Sequence, residues 1–310
     1  MKLRWLVSAL TVCLLAAPAK AQSPSPRPPG PAGAAPASKG EGAIRVEAVQ
    51  YPAWLDRGGY SVPLTPGTVL HGADTLRTGS NARVQLKLSE GSTVKLGENA
   101  RFIVEKVDDR GTFRGALRVL YGAFRFTTGA LGLRQKRDID IQVRTITAGI
   151  RGTDVWGKST DARDLVCLLE GKITARADNH DAVVLDKPRD FYQRAREGEP
   201  QLGRVDEHQV QVWSKETEIE PGAAAGRQGG QWSVIASKFY DRRKALALSR
   251  ELRARGYPAD VRIEKGATED VQRVEVRGLA DEAAARAVMA NIRDVPGLNI
   301  PSVEGPPAPR

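Results

Sequence analysis

The stretch Arg83-Val84-Gln85-Leu86-Lys87-Leu88, closed by Glu90-Gly91, and its continuation Ser92-Thr93-Val94-Lys95-Leu96, closed by Gly97, decides how this 310-residue chain is read. Apolar and polar residues alternate with period two on both sides of a glycine turn, the pattern of a strand pair with one face buried. Working outward, alternating or β-branched runs recur at Arg101–Lys106, Ala116–Leu120, Ala123–Thr127, Ile139–Thr147, Leu165–Leu169 and Lys172–Ala177, with Glu170-Gly171 as a tight turn between the last two. Strands this short, spaced by glycine turns, predict an all-β block over residues 43–219. A sandwich, a roll and a short solenoid all fit the pattern.

The periodicity then changes. Trp232-Ser233-Val234-Ile235-Ala236 reads as a strand, and Asp241 as the N-cap of a helix with Ala245, Leu248, Ser249 and Leu252 on one face, stopped by Gly256. Val261–Ile263 and Val271–Arg277 read as strands, and Asp281 caps a second helix with Ala284, Ala287, Val288 and Ile292 on one side. Asn299–Val303 completes a βαββαβ order over residues 231–303, the pattern of a small α+β, split βαβ (RNP-like) sheet with both helices on one face. The fold class expected is thus multidomain, an all-β domain followed by this α+β domain. Residues 220–230, rich in Gly and Ala, are expected to be the linker between them, and 304–310 a disordered tail.

The N-terminus reads as a signal peptide. Lys2 and Arg4 precede an uncharged, mostly apolar run from Trp5 to Ala17, and Ala19-Lys20-Ala21 offers cleavage after Ala21. That run of about 13 residues falls short of the roughly 20 needed to span a bilayer. No stable membrane span is expected after cleavage, and the mature chain is expected in the periplasm. Residues 22–42 are a Pro/Ala/Gly-rich linker by composition. Losing residues 1–21 lowers the formal charge from +10 to +7, an excess suited to anionic partners; export removes nucleic acid from that list. Cys167 is then the only cysteine, so no intramolecular disulfide forms, and its run Leu165–Leu169 makes it a buried, inert thiol.

Two resemblances attach to these blocks. Leu76-Arg77-Thr78-Gly79, Gly91-Ser92-Thr93-Val94-Lys95-Leu96-Gly97, Gly149-Ile150-Arg151-Gly152-Thr153 and Glu170-Gly171-Lys172 occur in order. Over about residues 64–175 the chain thereby resembles the FecR domain family. This implies an extracytoplasmic β domain that works by protein contact without catalysis. Trp232–Phe239, Arg255-Gly256-Tyr257 and Val271–Val276 make residues 231–303 similar to a SPOR domain, which implies binding of peptidoglycan glycan strands stripped of stem peptides. Ile235 stands where that family usually has Gln, Ser237 where it has Gly, and Arg277-Gly278 where it has Gly-Pro.

Alternation places Val234, Ala236, Val274 and Val276 toward the helices and Ile235, Ser237, Arg273, Glu275 and Arg277 toward solvent. Under the resemblance Arg273 and Arg277 would grip glycan carboxylates and Ser237 would donate to sugar hydroxyls. The plainer alternative is a solvated strand face whose arginines pair with Glu275. Arg151 reads as a partner contact or as part of a structural turn in which it satisfies nearby carbonyls, and Arg134-Gln135-Lys136-Arg137 as a basic surface loop. Trp54, Trp156, Trp213 and Trp232 sit in strand-like runs and read as packing residues.

His71, His180 and His208 are isolated, no nucleophile elbow or phosphate-binding glycine loop occurs, and no metal, cofactor or catalytic residue is expected. The expectation is an exported, non-enzymatic envelope adaptor: the SPOR-like domain binds peptidoglycan glycan strands and the FecR-like domain an envelope protein. The alternative is a FecR-type component that regulates an extracytoplasmic-function sigma factor pathway. An RNA-binding role is disfavoured, since the sheet lacks the aromatic pair such binders use.

Overall fold

A computed structural model describes residues 44–108, 112–129, 137–266 and 268–306. The signal peptide, the linker 22–42, the basic-loop residues 134–136 and the tail residues 307–310 lie outside them. The deciding stretch forms two strands, Arg83–Leu88 and Thr93–Leu96, paired from Val84↔Leu96 to Lys87↔Thr93, and its apolar members Val84, Leu86, Leu88, Val94 and Leu96 are buried.

That pair belongs to the first of two sheets. From one edge this sheet runs Gln201–Arg204, Asp190–Ala195, Arg163–Glu170, Asp154–Ser159, the second half of Phe113–Thr127, Thr93–Leu96, Arg83–Leu88 and Ile44–Gln50. The second runs Tyr60–Pro63, Ala53–Arg57, Thr75–Thr78, Arg101–Asp108, the first half of Phe113–Thr127, Arg137–Val143, Ile146–Ile150, Ile173–Ala177 and Val183–Leu185. The chain passes back and forth between the sheets while advancing along both, and one apolar core fills the space they share. The protein is mostly β, with few helices.

Phe113–Thr127 is a single 15-residue strand where two separate runs were expected. Residues 113, 115, 117 and 119 are buried in its first half and 122, 124 and 126 in its second. The inward parity flips because the strand leaves one sheet and enters the other, which faces it. The flip occurs at Gly122, with φ +88, where a Cβ would lie 2.6 Å from Ala100 Cα. Gly122→Ala therefore combines a left-handed conformation with a backbone clash. We expect a loss of about 3 kcal/mol, read as a lower urea midpoint at unchanged slope.

Three further differences have local causes. Residues 207–215, expected in the β block, form the helix Glu207–Lys215, whose N-cap Asp206 accepts from Gln209 N at 2.7 Å. Nine residues are too few to display a helical period. Trp213 thus lies on a helix, stacked on Trp156 with centroids 4.6 Å apart and planes 2° from parallel. The stretch 220–230, expected as a flexible linker, contains the strand Ala225–Arg227, paired with Ala48–Gln50 and, through Gly226↔Leu279, with Val271–Leu279. Ala224 and Ala225 are buried there, so its small residues serve close packing and not freedom.

Residues 232–304 run Trp232–Phe239, Arg242–Ala254, Ala259–Glu264, Val271–Leu279, Glu282–Ile292 and Ser302–Glu304 in β-α-β-β-α-β order. The sheet order is Ala259–Glu264, Val271–Leu279, Trp232–Phe239, Ser302–Glu304, all antiparallel. Asp241 and Asp281 cap the helices, each accepting from a backbone N–H at 2.8 Å. This sheet continues the first sheet of the β block through Ala225–Arg227. A second seam reinforces the join: Trp54 Nε1 donates to the Ala254 carbonyl at 3.1 Å, and Gly256, φ +83, packs where a Cβ would meet Trp54 at 2.8 Å. The described residues accordingly all fall in one compact unit.

Candidate functional site

The open face of the C-terminal sheet holds two of the four residues singled out from sequence, Arg273 and Arg277; Ser237, on the same sheet, does not lie where alternation alone puts it. Ile235 pairs with Glu275 and Ser237 with Val274, so Ala236 is a bulge. One extra residue reverses the facing of every later residue in the strand. Ser237 turns to the helix side with Val274; it is buried and its hydroxyl has no partner. Ser237 is therefore withdrawn as a sugar-binding residue. Ile235 and Glu275, expected in solvent, are also buried.

Glu275 is the centre of this face. Arg262 Nε and Arg277 Nε lie 3.2 Å from its carboxylate and Arg273 Nη2 lies 3.4 Å away. Arg273 further meets Glu304 at 2.5 Å and Glu264 at 3.5 Å, and Lys238 meets Glu264 at 3.1 Å. Burial pulls the Arg273 guanidinium down, but the Glu304, Glu275 and Glu264 carboxylates outweigh it and hold it above the ordinary arginine value. The hydrogen bond from Lys238 holds Glu264 below the ordinary carboxylate value. The arginines are thus paired with acids of their own sheet, the plainer of the two arrangements read from sequence. The signal was the Arg-x-Glu-x-Arg spacing, which puts all three side chains on one face.

Arg151 is exposed and makes no ion pair or hydrogen bond among the described residues, so it does not serve nearby carbonyls. The turn around it is structural: Gly152 has φ +70, and a Cβ on Gly171 would lie 2.5 Å from the Gly152 carbonyl oxygen. Arg151 lines a cleft of about 670 Å³ on the second sheet, with Asp138, Asp140, Lys172 and Arg176. Burial, reinforced by Asp138, pushes the Asp140 carboxyl up, and Arg176 partly offsets this. The cleft mixes both signs of charge, which suits a polar protein surface better than a polyanion.

The other motif residues hold turns. Thr78 is buried; its hydroxyl donates to the Gly97 carbonyl and accepts from Ala100 N, both at 2.7 Å. Gly79 N donates to the Pro52 carbonyl at 3.0 Å. Arg77 forms a two-toothed bond with Asp56, at 2.7 and 3.0 Å, and lies over the Trp54 ring at 5.1 Å, next to the seam.

Cys167 is fully buried beside Trp156, Leu165 and Trp213, and burial, with Asp190 adding to it, pushes its thiol up to about 12. A thiol-specific disulfide reagent at about pH 8 is expected to leave Cys167 of the folded protein unmodified and to titrate it in denaturant. Fast labelling of the native state would show that the helix over this patch opens. Among the described residues no group of His, Cys, Asp and Glu side chains is placed to hold a metal ion, and no helix is long and apolar enough to cross a membrane.

Comparison with known proteins covers part of this architecture. No curated protein matches the chain. Two crystal structures of a candidate anti-sigma factor from Parabacteroides distasonis are similar to it. The one at 1.65 Å shares 14% identity over 70% of this chain and 91% of its own, with a TM-score of 0.39. The other, at 2.50 Å, shares 12% over 64% and 97%, also at 0.39. Residues 74–174 match the family described as FecR protein.

Proposed function

We propose that this chain is a non-enzymatic, FecR-type signalling component of the bacterial envelope, acting on an extracytoplasmic-function sigma factor pathway through protein contacts. The FecR match over residues 74–174 carries the reading. Within it Thr78, Gly79, Gly152 and Gly171 are occupied in turns, which leaves the outer faces for a partner. Arg151, exposed at its mixed-charge cleft and without an ion pair among the described residues, is the contact we would assign to that partner. Export by the N-terminal segment puts the chain in the periplasm in this reading, so the signal passes through an envelope protein.

The test is a gene deletion read out on transcripts that depend on extracytoplasmic-function sigma factors. Those transcripts should change several-fold and be restored by the wild-type chain but not by Arg151→Glu, whose exposed site makes no ion pair or hydrogen bond among the described residues and should tolerate the change. Unchanged transcripts would sink the signalling reading. Restoration by Arg151→Glu would remove only its assigned contact.

A second reading, SPOR-like docking on peptidoglycan glycan strands, is favoured by the βαββαβ order of residues 232–304. Against it stand the buried Ser237 and the pairing of Arg273 and Arg277 with Glu275. Co-sedimentation with sacculi before and after amidase stripping separates the two readings. Binding that rises on stripping and falls in Arg273→Ala/Arg277→Ala would restore the wall-docking role.

A further inference from the structure

Residues directly opposite one another on antiparallel strands share a face of the sheet, as do residues two apart along each strand. In the first sheet Lys95 pairs with Arg125 and Arg125 with Trp156, while Ala123 pairs with Lys158. Lys95, Arg125, Lys158 and Trp156 therefore stand together on one face, three cations and an indole across three neighbouring strands. It is the outer face, because Val94, Leu96, Phe124, Phe126 and Val155, between them in sequence, lie in the shared core.

Residues 207–218 cross this face like a strap on the way to the C-terminal block. Trp213 stacks on Trp156, Lys158 meets Glu216 at 2.7 Å, and Glu218 is met by Lys95 at 2.6 Å and Arg125 at 3.5 Å. Arg125 also keeps a two-toothed bond to Asp154, at 3.0 and 2.7 Å. The strap backbone lies so close that a Cβ on Gly97 would be 2.8 Å from the Glu216 carbonyl oxygen. Every residue of this seat falls within the FecR match, and the whole strap falls outside it.

The hold is light. Between residues 207 and 218 only Thr217 is buried, and both partners of the Lys95–Glu218 and Lys158–Glu216 pairs are part-exposed. Such pairs are individually weak, and a segment with few buried contacts opens ahead of the whole fold. Nor does the strap cover the entire seat: a cleft of about 300 Å³ lies beside the stack, lined by Trp156, Lys158, Arg163 and Trp213.

We propose that this face is a docking site for an acidic peptide segment of another protein, with an aromatic residue followed by two carboxylates, and that the strap holds it in reserve by occupying it in cis. The partner's ring would stack on Trp156 and its carboxylates would meet Lys158, Lys95 and Arg125. The chain's excess of positive charge favours that encounter. The proposal goes beyond the signalling reading, whose assigned contact is on the other sheet, and does not rest on it.

Two measurements test it. In hydrogen exchange of the wild-type protein, amides of 207–218 should exchange about tenfold or more faster than those of Thr93–Leu96 and Asp154–Ser159 beneath them, and faster still in high salt. Exchange no faster than in those strands would mean a strap that never leaves its seat, and would overturn the proposal. The second probe is a synthetic peptide of residues 212–220, titrated into Trp213→Ala/Glu216→Gln/Glu218→Gln, whose changes fall on part-exposed side chains. The peptide should bind this variant saturably and wild type about tenfold more weakly, since the tethered strap competes at high effective concentration. A peptide with Gln at 216 and 218 should bind about tenfold more weakly, and adding Lys95→Gln/Lys158→Gln to the variant should have the same effect. Absence of saturable binding, equal binding to wild type and variant, or equal binding of the Gln peptide would each overturn the docking site.

Discussion

Replacing Asp164 by alanine should cost about 3–5 kcal/mol, the range seen when one partner of a buried ion pair is removed. Its side chain has no exposure, and every polar group around it points at it. Arg196 donates through Nη1 at 2.6 Å and Nη2 at 2.8 Å, Thr145 through its hydroxyl at 2.7 Å and backbone N at 3.1 Å, and Ser159 through its hydroxyl at 2.7 Å. Removing the carboxylate leaves these donors unmet at the join between the sheets, since Thr145 precedes a strand of one sheet and Ser159 ends a strand of the other.

The same site sets a pH dependence. Burial alone would raise the Asp164 carboxyl, but the hydrogen bonds from Arg196, Thr145 and Ser159 outweigh it and hold it below the ordinary carboxylate value. A group whose folded value lies below its unfolded value of about 3.9 contributes fully above that pH, and the contribution is lost as pH falls through the folded value. Urea unfolding of wild type and Asp164→Ala should therefore differ most near neutrality and converge below about pH 4. A gap that stays constant into acid would mean that the loss is one of packing and not of charge.

Glu275→Ala should lower stability by about 2–3 kcal/mol. This is less than a fully buried pair would cost, because Arg262 and Arg277 are about half exposed and regain water. Its larger effect is on binding. With the central carboxylate gone, Arg262, Arg273 and Arg277 face one another without the acid they share, and the sheet gains a cationic patch. The variant should be retained on an immobilised polyanion at salt concentrations that release the wild type, and the difference should fade as salt rises further. Retention equal to wild type would show that Glu264 and Glu304 suffice to quench the arginines.

Much of the secondary structure was legible because its causes are local. Val84, Leu86, Val94 and Leu96 are buried as period-two alternation demands, and Asp241 and Asp281 cap the helices as short acceptors do before an amphipathic run. The candidate sites were less legible. Arg273 and Arg277 were correctly placed on the open face, but whether they are free depends on Glu264 and Glu304, which arrive from two other strands. Ser237 was misplaced because a bulge inserts its extra residue against a partner strand, and nothing in the strand itself marks it.

The sequence by itself thus determined the alternating strands around the Glu90-Gly91 turn and the two capped helices of the C-terminal block, because backbone period and capping chemistry act within a few residues. Only the tertiary structure decided how the sheets pair, where Phe113–Thr127 crosses between them, that Ala225–Arg227 joins the two blocks, and which charges are quenched. Those outcomes depend on register and on side chains far apart in the chain, and contacts of that kind have no period to read.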